Sequence, residues 1–199
     1  MIYLYGAGGH AKVITEILEL CGKKVEATFD DDPSKFIWNI PALQYPGPFD
    51  ATKDELILSI GNNFIRKKIS MKLNVNYCSA VHPTSIISKH AATGHGTVIM
   101  GGVLINADTN IGNHCIINSS ASIDHDCVLE DYVHISPNAT LCGSVYIGER
   151  SHIGAGAIII PNIKIGENTI VGAGAVVVNN LPDNVTAVGN PARIIKKGS

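Results

Sequence analysis

The chain has 199 residues, with 15 basic side chains against 17 acidic ones and a net charge of −2. That length supplies a core without disulfide or metal staples, and the near-neutral charge gives no field to gather nucleic acid or an anionic membrane, so any anionic ligand must be held locally. No apolar run approaches the roughly 20 residues that cross a bilayer, and the opening run, residues 1–5, lacks the basic flank and cleavage site of a secretory leader. The five cysteines, Cys21, Cys78, Cys115, Cys127 and Cys142, are odd in number and fit neither a zinc pattern nor a secreted disulfide framework. A cytoplasmic protein is expected, with no membrane or nucleic-acid partner and with its cysteines as small packing residues.

Residues 2–5 read as an apolar strand that ends in Gly6-Ala7-Gly8-Gly9-His10. An amphipathic helix follows, with Ile14, Ile17, Leu18 and Cys21 on one face and Glu16 and Glu19 outside. A second strand over 25–29 runs into Asp30-Asp31-Asp32-Pro33, and a third over 55–60 ends in Gly61-Asn62-Asn63. A helix over 64–73 sets Ile65, Ile69 and Leu73 on one face and Arg66, Lys67 and Lys68 on the other, read as a solvated face. Strand, glycine turn and helix N-terminus form an anion cradle in which Gly6, Gly8 and Gly9 let a phosphate approach the backbone; a tight turn without a ligand is the competing reading. The spacing also reads G-x-G-x-x-A, a weak dinucleotide fingerprint. A full dinucleotide fold needs two such halves, and only about 78 residues precede the repeat, so a mononucleotide or nucleotide sugar fits better.

From Val81 to Val177 in steps of six, sixteen of seventeen positions are branched aliphatics, Thr93 being the exception. Two residues before them sit mostly small side chains, among them Ala91, Cys115, Ala121, Cys127, Ala139 and Ala157, and glycine follows at 94, 112, 148, 154, 166 and 172, where a turn is expected to need a permissive φ. A period of six is neither helical nor that of a hairpin; it requires short strands turning corners with one aliphatic residue per side pointing inward, which is a solenoid. Thr93 predicts a looser or bulged early coil.

The segments 5–10, 29–33, 59–63, 123–127 (Ile-Asp-His-Asp-Cys) and 189–193 (Gly-Asn-Pro-Ala-Arg) are similar, in that order and over essentially the whole chain, to the sialic acid O-acetyltransferase and UDP-4-amino-sugar N-acetyltransferase family of hexapeptide-repeat acyltransferases. The resemblance implies an α/β, Rossmann-like βαβ module over 1–78 that holds a nucleotide sugar. It further implies an all-β left-handed parallel β-helix over 79–199 that holds acetyl-CoA between neighbouring subunits of a homotrimer. Three hexads then make one coil, with the handedness opposite to that of generic sheet crossovers, and about five to six coils stack at about 4.8 Å.

On this resemblance Gly8, Gly9, His10, Asp30, Asp31 and Gly61 contact a UDP-linked sugar and Asn118 touches the sugar itself. His134, Ala155 and Ala173 lie along acetyl-CoA, His125 is the general base, and Asp126 orients it. Two positions depart from the family's UDP-sugar branch: Gly8 stands where a serine is found, leaving the phosphate to backbone N–H groups, and Asp126 where a glutamate is found, with a shorter reach.

Acetyl transfer from a thioester needs a base for the acceptor and donors for the oxyanion. Eighteen residues beyond His125 stands Gly143, in the next coil on the same face, where glycine leaves room for the imidazole and offers an N–H as an oxyanion donor; a corner glycine is the plainer reading. His134 is nine residues from His125, half a coil around, so the two converge only across a subunit interface. Arg193, Lys196 and Lys197 either meet CoA phosphates or form an exposed basic tail. Two other readings compete. A γ-type carbonic anhydrase uses a related β-helix, and His90 and His95 are spaced H-x₄-H, but it leaves the N-terminal module without a purpose and the histidines without carboxylates. A non-catalytic sugar-nucleotide scaffold is the other, against which the His-Asp pair argues. N- and O-acetylation stay open.

Overall fold

A computed structural model describes residues 1–32, 34–45, 47 and 53–197; Pro33 of the acidic turn lies outside them. The N-terminal module contains β1 (Ile2–Tyr5), α1 (Gly9–Leu20), β2 (Val25–Phe29), β3 (Phe36–Ile37), β4 (Ile40–Leu43), β5 (Glu55–Leu58), α2 (Asn63–Ser70) and β6 (Asn76–Tyr77). They form one sheet in the order β3-β4-β2-β1-β5-β6, parallel except for the β3–β4 hairpin. The hairpin has no counterpart in the sequence reading, because strands of two to four residues are too short to show a period.

Helix α1 buries Ile14, Ile17 and Leu18 as its periodicity predicts, but Cys21 is exposed, since the helix ends at Leu20 and residue 21 caps it. Helix α2 departs further. It ends at Ser70, Ile65 is 45% exposed, and Arg66, read as solvated, is 1% exposed. The reason is the surface it meets: α2 docks on corners of the solenoid rich in carbonyl oxygens, where a guanidinium is satisfied and the sec-butyl group of Ile65 would not be. Lys67 is only partly exposed and pairs with Glu149 at 2.6 Å.

The solenoid consists of two-residue strands, one on each side of a triangular prism. Its first face stacks Ala80–Val81, Val98–Ile99, Ile116–Ile117, His134–Ile135, His152–Ile153 and Ile170–Val171, each strand pairing in parallel with the one eighteen residues on. The second face runs from Ile86–Ile87 to Val176–Val177 and the third from Ala92–Thr93 to Lys164–Ile165. The inward aliphatics and the small residues Cys115, Ala121, Cys127, Ala139 and Ala157 form one continuous core. Thr93 pairs in register with Ile111, so the early coil is not bulged; it stands at the open end of its face, where no further strand stacks above it and a polar residue is tolerated. The repeat glycines also need a different explanation. None of Gly94, Gly112, Gly148, Gly154, Gly166 and Gly172 has a positive φ; a Cβ at Gly154 would lie 2.6 Å from the Ala173 nitrogen, so glycine is required by the closeness of the next coil. The left-handed conformation falls two residues later, at Gly96, His114, Arg150, Gly156, Asn168 and Gly174.

Outward residues of the first face, Ala80, Val98, Met100 and Ile116, share a core with Ala11, Ile14 and Leu18, so α1 and the solenoid pack as one. Among the described residues no helix is long and apolar enough to cross a membrane.

Candidate active site

Strands β1, β2 and β5 are parallel neighbours, so the loops after them, 6–9, 30–32 and 59–62, meet where the strand order reverses about β1, the usual ligand crevice of an open α/β sheet. Gly6 is demanded by the turn itself: φ is +110° and a Cβ would sit 2.8 Å from the Ser59 carbonyl oxygen. Gly8, Gly9 and Gly61 differ. None has a positive φ, and nothing lies within 4 Å of where a Cβ would be. The fold tolerates side chains at all three, so their absence leaves open space over the backbone of the crevice.

The two aspartates separate. Asp30 accepts from the Ala7 N–H at 2.8 Å and from the Asp32 N–H and Lys35 ammonium, each at 3.0 Å. Burial pushes its carboxyl up, and these donors more than reverse that, leaving it below the ordinary range. Oδ2 therefore braces the glycine turn, and Oδ1 holds the acidic turn that follows β2. Asp31 is exposed and accepts from Tyr5 Oη at 2.9 Å; burial and this bond push the phenol up to about 12. Tyr5, Asp30, Asp31, Gln44 and Tyr45 line a cleft of about 330 Å³.

Below α1, the first face turns polar. His134 stacks on His152 with ring centroids 4.5 Å apart and planes at 4°; the second ring stands eighteen residues after the first, a coil step that the sequence analysis overlooked. The Asn118 amide lies 3.3 Å from Nε2 of His134, and Ser136 Oγ lies 2.7 Å from Nε2 of His152. Among the described residues, Nε2 of His10 and Nδ1 of His134 are buried without a full hydrogen bond, the Gly61 carbonyl acting on the His134 ring only as a weak acceptor. Burial, then the neighbouring His152, Arg66 and His10, push His134 down to about 3; burial and Arg66 push His10 down to about 4. Both rings are neutral at pH 7, each with a spare polar nitrogen. A donating Asn118 amide puts the His134 proton on Nδ1, ready for a carbonyl acceptor.

His125 stands elsewhere, on the corner between the second and third faces, with its side chain 57% exposed. Its Nδ1 lies 2.6 Å from Oδ2 of Asp126, which raises the imidazole above its ordinary range, with help from the charge of Asp124. Asp124 is spent on the corner, accepting the His125 N–H at 2.8 Å and the Asn106 amide at 2.9 Å. With Nδ1–H held by Asp126, Nε2 is the free base. A Cβ on residue 143 would lie 2.8 Å from that nitrogen, so Gly143 clears the space the ring occupies. Within one chain His125 and His134 lie on different sides of the prism, as the half-coil spacing predicts.

Ala155 and Ala173 are exposed corners one coil apart, joined by the Gly174 N–H to the Ala155 carbonyl at 2.8 Å. Beside them Gly156 and Gly174 have open space around them, so the strip is bare backbone, of a kind along which a linear chain can lie. The basic tail, Arg193–Lys197, is an exposed strand antiparallel to Val185–Val188.

Residues 1–73 match the PglD N-terminal domain, and residues 108–143 and 144–179 match the six-repeat bacterial transferase hexapeptide family. The chain is similar to the UDP-N-acetylbacillosamine N-acetyltransferase of Bacillus subtilis, 41% identical over a stretch that spans 50% of each protein. It is 32% identical to the GDP-perosamine N-acetyltransferase of Escherichia coli over 98% of this chain and 96% of that one. Among solved structures, PerB from Caulobacter crescentus in complex with CoA and GDP-perosamine superposes with a TM-score of 0.90 at 40% identity, covering 98% of this chain and 97% of that one. The acetyltransferase domain of PglB from Neisseria gonorrhoeae in complex with acetyl coenzyme A gives 0.92 at 32% identity, with 98% of each covered. Both domain matches and the full-length similarity agree with the solenoid and crevice described above: the chain belongs to the hexapeptide-repeat sugar N-acetyltransferases that carry a PglD N-terminal domain.

Proposed function

We propose that the protein moves the acetyl group of acetyl-CoA to the amino group of a nucleotide-linked amino sugar, with His125 as general base. The observation that carries the reading is the His125–Asp126 pair at 2.6 Å on an exposed corner, with Gly143 holding space open at Nε2. His125 Nε2 takes a proton from the amine as its nitrogen attacks the thioester carbonyl; the C–N bond forms, the C–S bond breaks, and the proton passes to the departing thiolate. The Gly143 N–H is the oxyanion donor.

Residues 1–78 hold the nucleotide sugar through Gly8, Gly9, His10, Asp31 and Gly61, with Asp30 bracing the turn, and residues 79–199 hold acetyl-CoA along His134, Ala155 and Ala173. Asn118 meets the sugar. Because His125 and His134 lie on different sides of one prism, the site is completed by a neighbouring subunit, in a homotrimer. The family resemblance implies UDP as the nucleotide; relatives named for UDP- and for GDP-linked sugars both match this chain. Acetyl-CoA and nucleotide sugars are cytoplasmic pools, which places the reaction there.

The test is CoA release with UDP- and GDP-linked 4-amino sugars and with sialic acids. Turnover of a nucleotide-linked amine supports the proposal, turnover of sialic acid alone makes the protein an O-acetyltransferase, and turnover of none refutes transfer. Light scattering that shows an active monomer refutes the shared site.

A further inference from the structure

Arg66 is the largest fully buried side chain, and no carboxylate pairs with it among the described residues. Its guanidinium has five N–H donors, and five oxygens receive them. Nε donates to the His114 carbonyl at 2.8 Å, Nη1 to the Ile60 and Gly61 carbonyls at 2.9 and 3.3 Å, and Nη2 to Asn63 Oδ1 at 2.8 Å and the Tyr132 carbonyl at 2.9 Å. Ile60 and Gly61 form one edge of the crevice. His114 and Tyr132 are left-handed corner residues of successive coils, and Tyr132 stands two residues before His134. Asn63 in turn donates to the Arg150 and Ser151 carbonyls, just before His152. One turn of α2 thus grips three successive coils.

Burying a lone guanidinium is costly: desolvation brings it down to about 10, and an apolar residue of similar volume would join the two domains more cheaply. What an apolar residue cannot do is fix carbonyl groups of two domains at hydrogen-bonding distance. We propose that Arg66 is a positioning residue for acetyl transfer, setting the Gly61 backbone and the coil that bears His134 at one separation so that the amino sugar and the thioester meet in register. The proposal rests on the transfer reading above. Its charge also faces His10 from α1 and His134 and His152 from the first face, and disfavours a proton on each.

Arg66→Lys in the full chain keeps the charge and loses the planar fork. The expected result is a kcat lower by about 100-fold, the scale of a misplacement of about 1 Å, with the affinities for CoA and for the nucleoside diphosphate, each titrated alone by calorimetry, unchanged. Lys67→Met cuts the ion pair with Glu149, a separate tie between α2 and the solenoid, so it should lower the melting temperature and leave kcat alone. The His134 ring resonances in the ligand-free protein should move in Arg66→Lys and stay in place in Lys67→Met. Wild-type kcat in folded Arg66→Lys, an equal kcat loss in Lys67→Met, or unmoved His134 resonances would each overturn the proposal. If Arg66→Lys fails to fold, Asn63→Ala removes one of the five acceptors and should cost about tenfold in kcat; wild-type turnover there overturns it equally. A wild-type protein that acetylates no nucleotide-linked amine sinks the transfer reading instead, and the resonance comparison still decides whether Arg66 places the His134 coil.

Discussion

The imidazole of His125 and the backbone of Gly143 stand one coil apart and so close that a Cβ on residue 143 would lie 2.7 Å from Cε1 of His125. Gly143→Ala therefore keeps the backbone N–H but evicts the ring from its place beside Asp126. The expected outcome is a kcat lower by about 100-fold, with CoA affinity and melting temperature near wild type. If glycine served only as an oxyanion donor, alanine would retain activity, and steady-state kinetics would show it.

His125→Ala should lose about 10²- to 10⁴-fold in kcat, the range of general base catalysis, with little change in CoA affinity. Asp126→Asn removes the charge that raises the imidazole. A less basic histidine stays deprotonated further into acid, so the acidic limb of the kcat/KM profile should move to lower pH. A limb that moves upward would remove Asp126 from its assigned role.

Gly9 opens α1 with open space around it, so Gly9→Ala should leave the melting temperature unchanged or raise it, alanine being better than glycine in a helix by up to about 1 kcal/mol. Nucleoside diphosphate affinity should nevertheless fall by about 10- to 100-fold, because the added methyl occupies the approach to the backbone. Calorimetry showing intact binding would leave the glycine turn without a ligand.

Acid should destabilise the fold early. Burial holds His10 and His114 down to about 4 and His134 to about 3, against 6.5 for the free side chain. As pH falls below 6.5 the unfolded chain takes up protons these rings refuse, so stability drops between about pH 6.5 and 3, the last part of it through His134. His125 works in the opposite direction, but it is exposed and alone. The melting temperature should be lower at pH 5 than at pH 7 by several degrees, and His114→Phe should flatten that slope; a flat wild-type profile would contradict the buried neutral state.

Local spacing determined more of this protein than usual. The six-residue recurrence of Ile and Val established the solenoid, because each inward side chain repeats its environment one side further on, and the eighteen-residue coil step placed Gly143 against His125 and Ala173 beside Ala155. The His125–Asp126 pair was legible for the same reason, being adjacent in the chain. Tertiary structure alone decided the remainder. Helical period put Arg66 with Lys67 and Lys68 and could not reveal that α2 would dock on carbonyl-lined corners. Asp30 and Asp31 read alike until the Ala7 N–H and Lys35 claimed only the first. Glycines chosen for a crowded neighbour, such as Gly154, and glycines left open, such as Gly8 and Gly61, are the same letter in sequence. In each case the deciding energy lies in a contact with a residue far along the chain: a desolvated charge finding its acceptors, or a Cβ meeting the next coil. No local pattern carries that information.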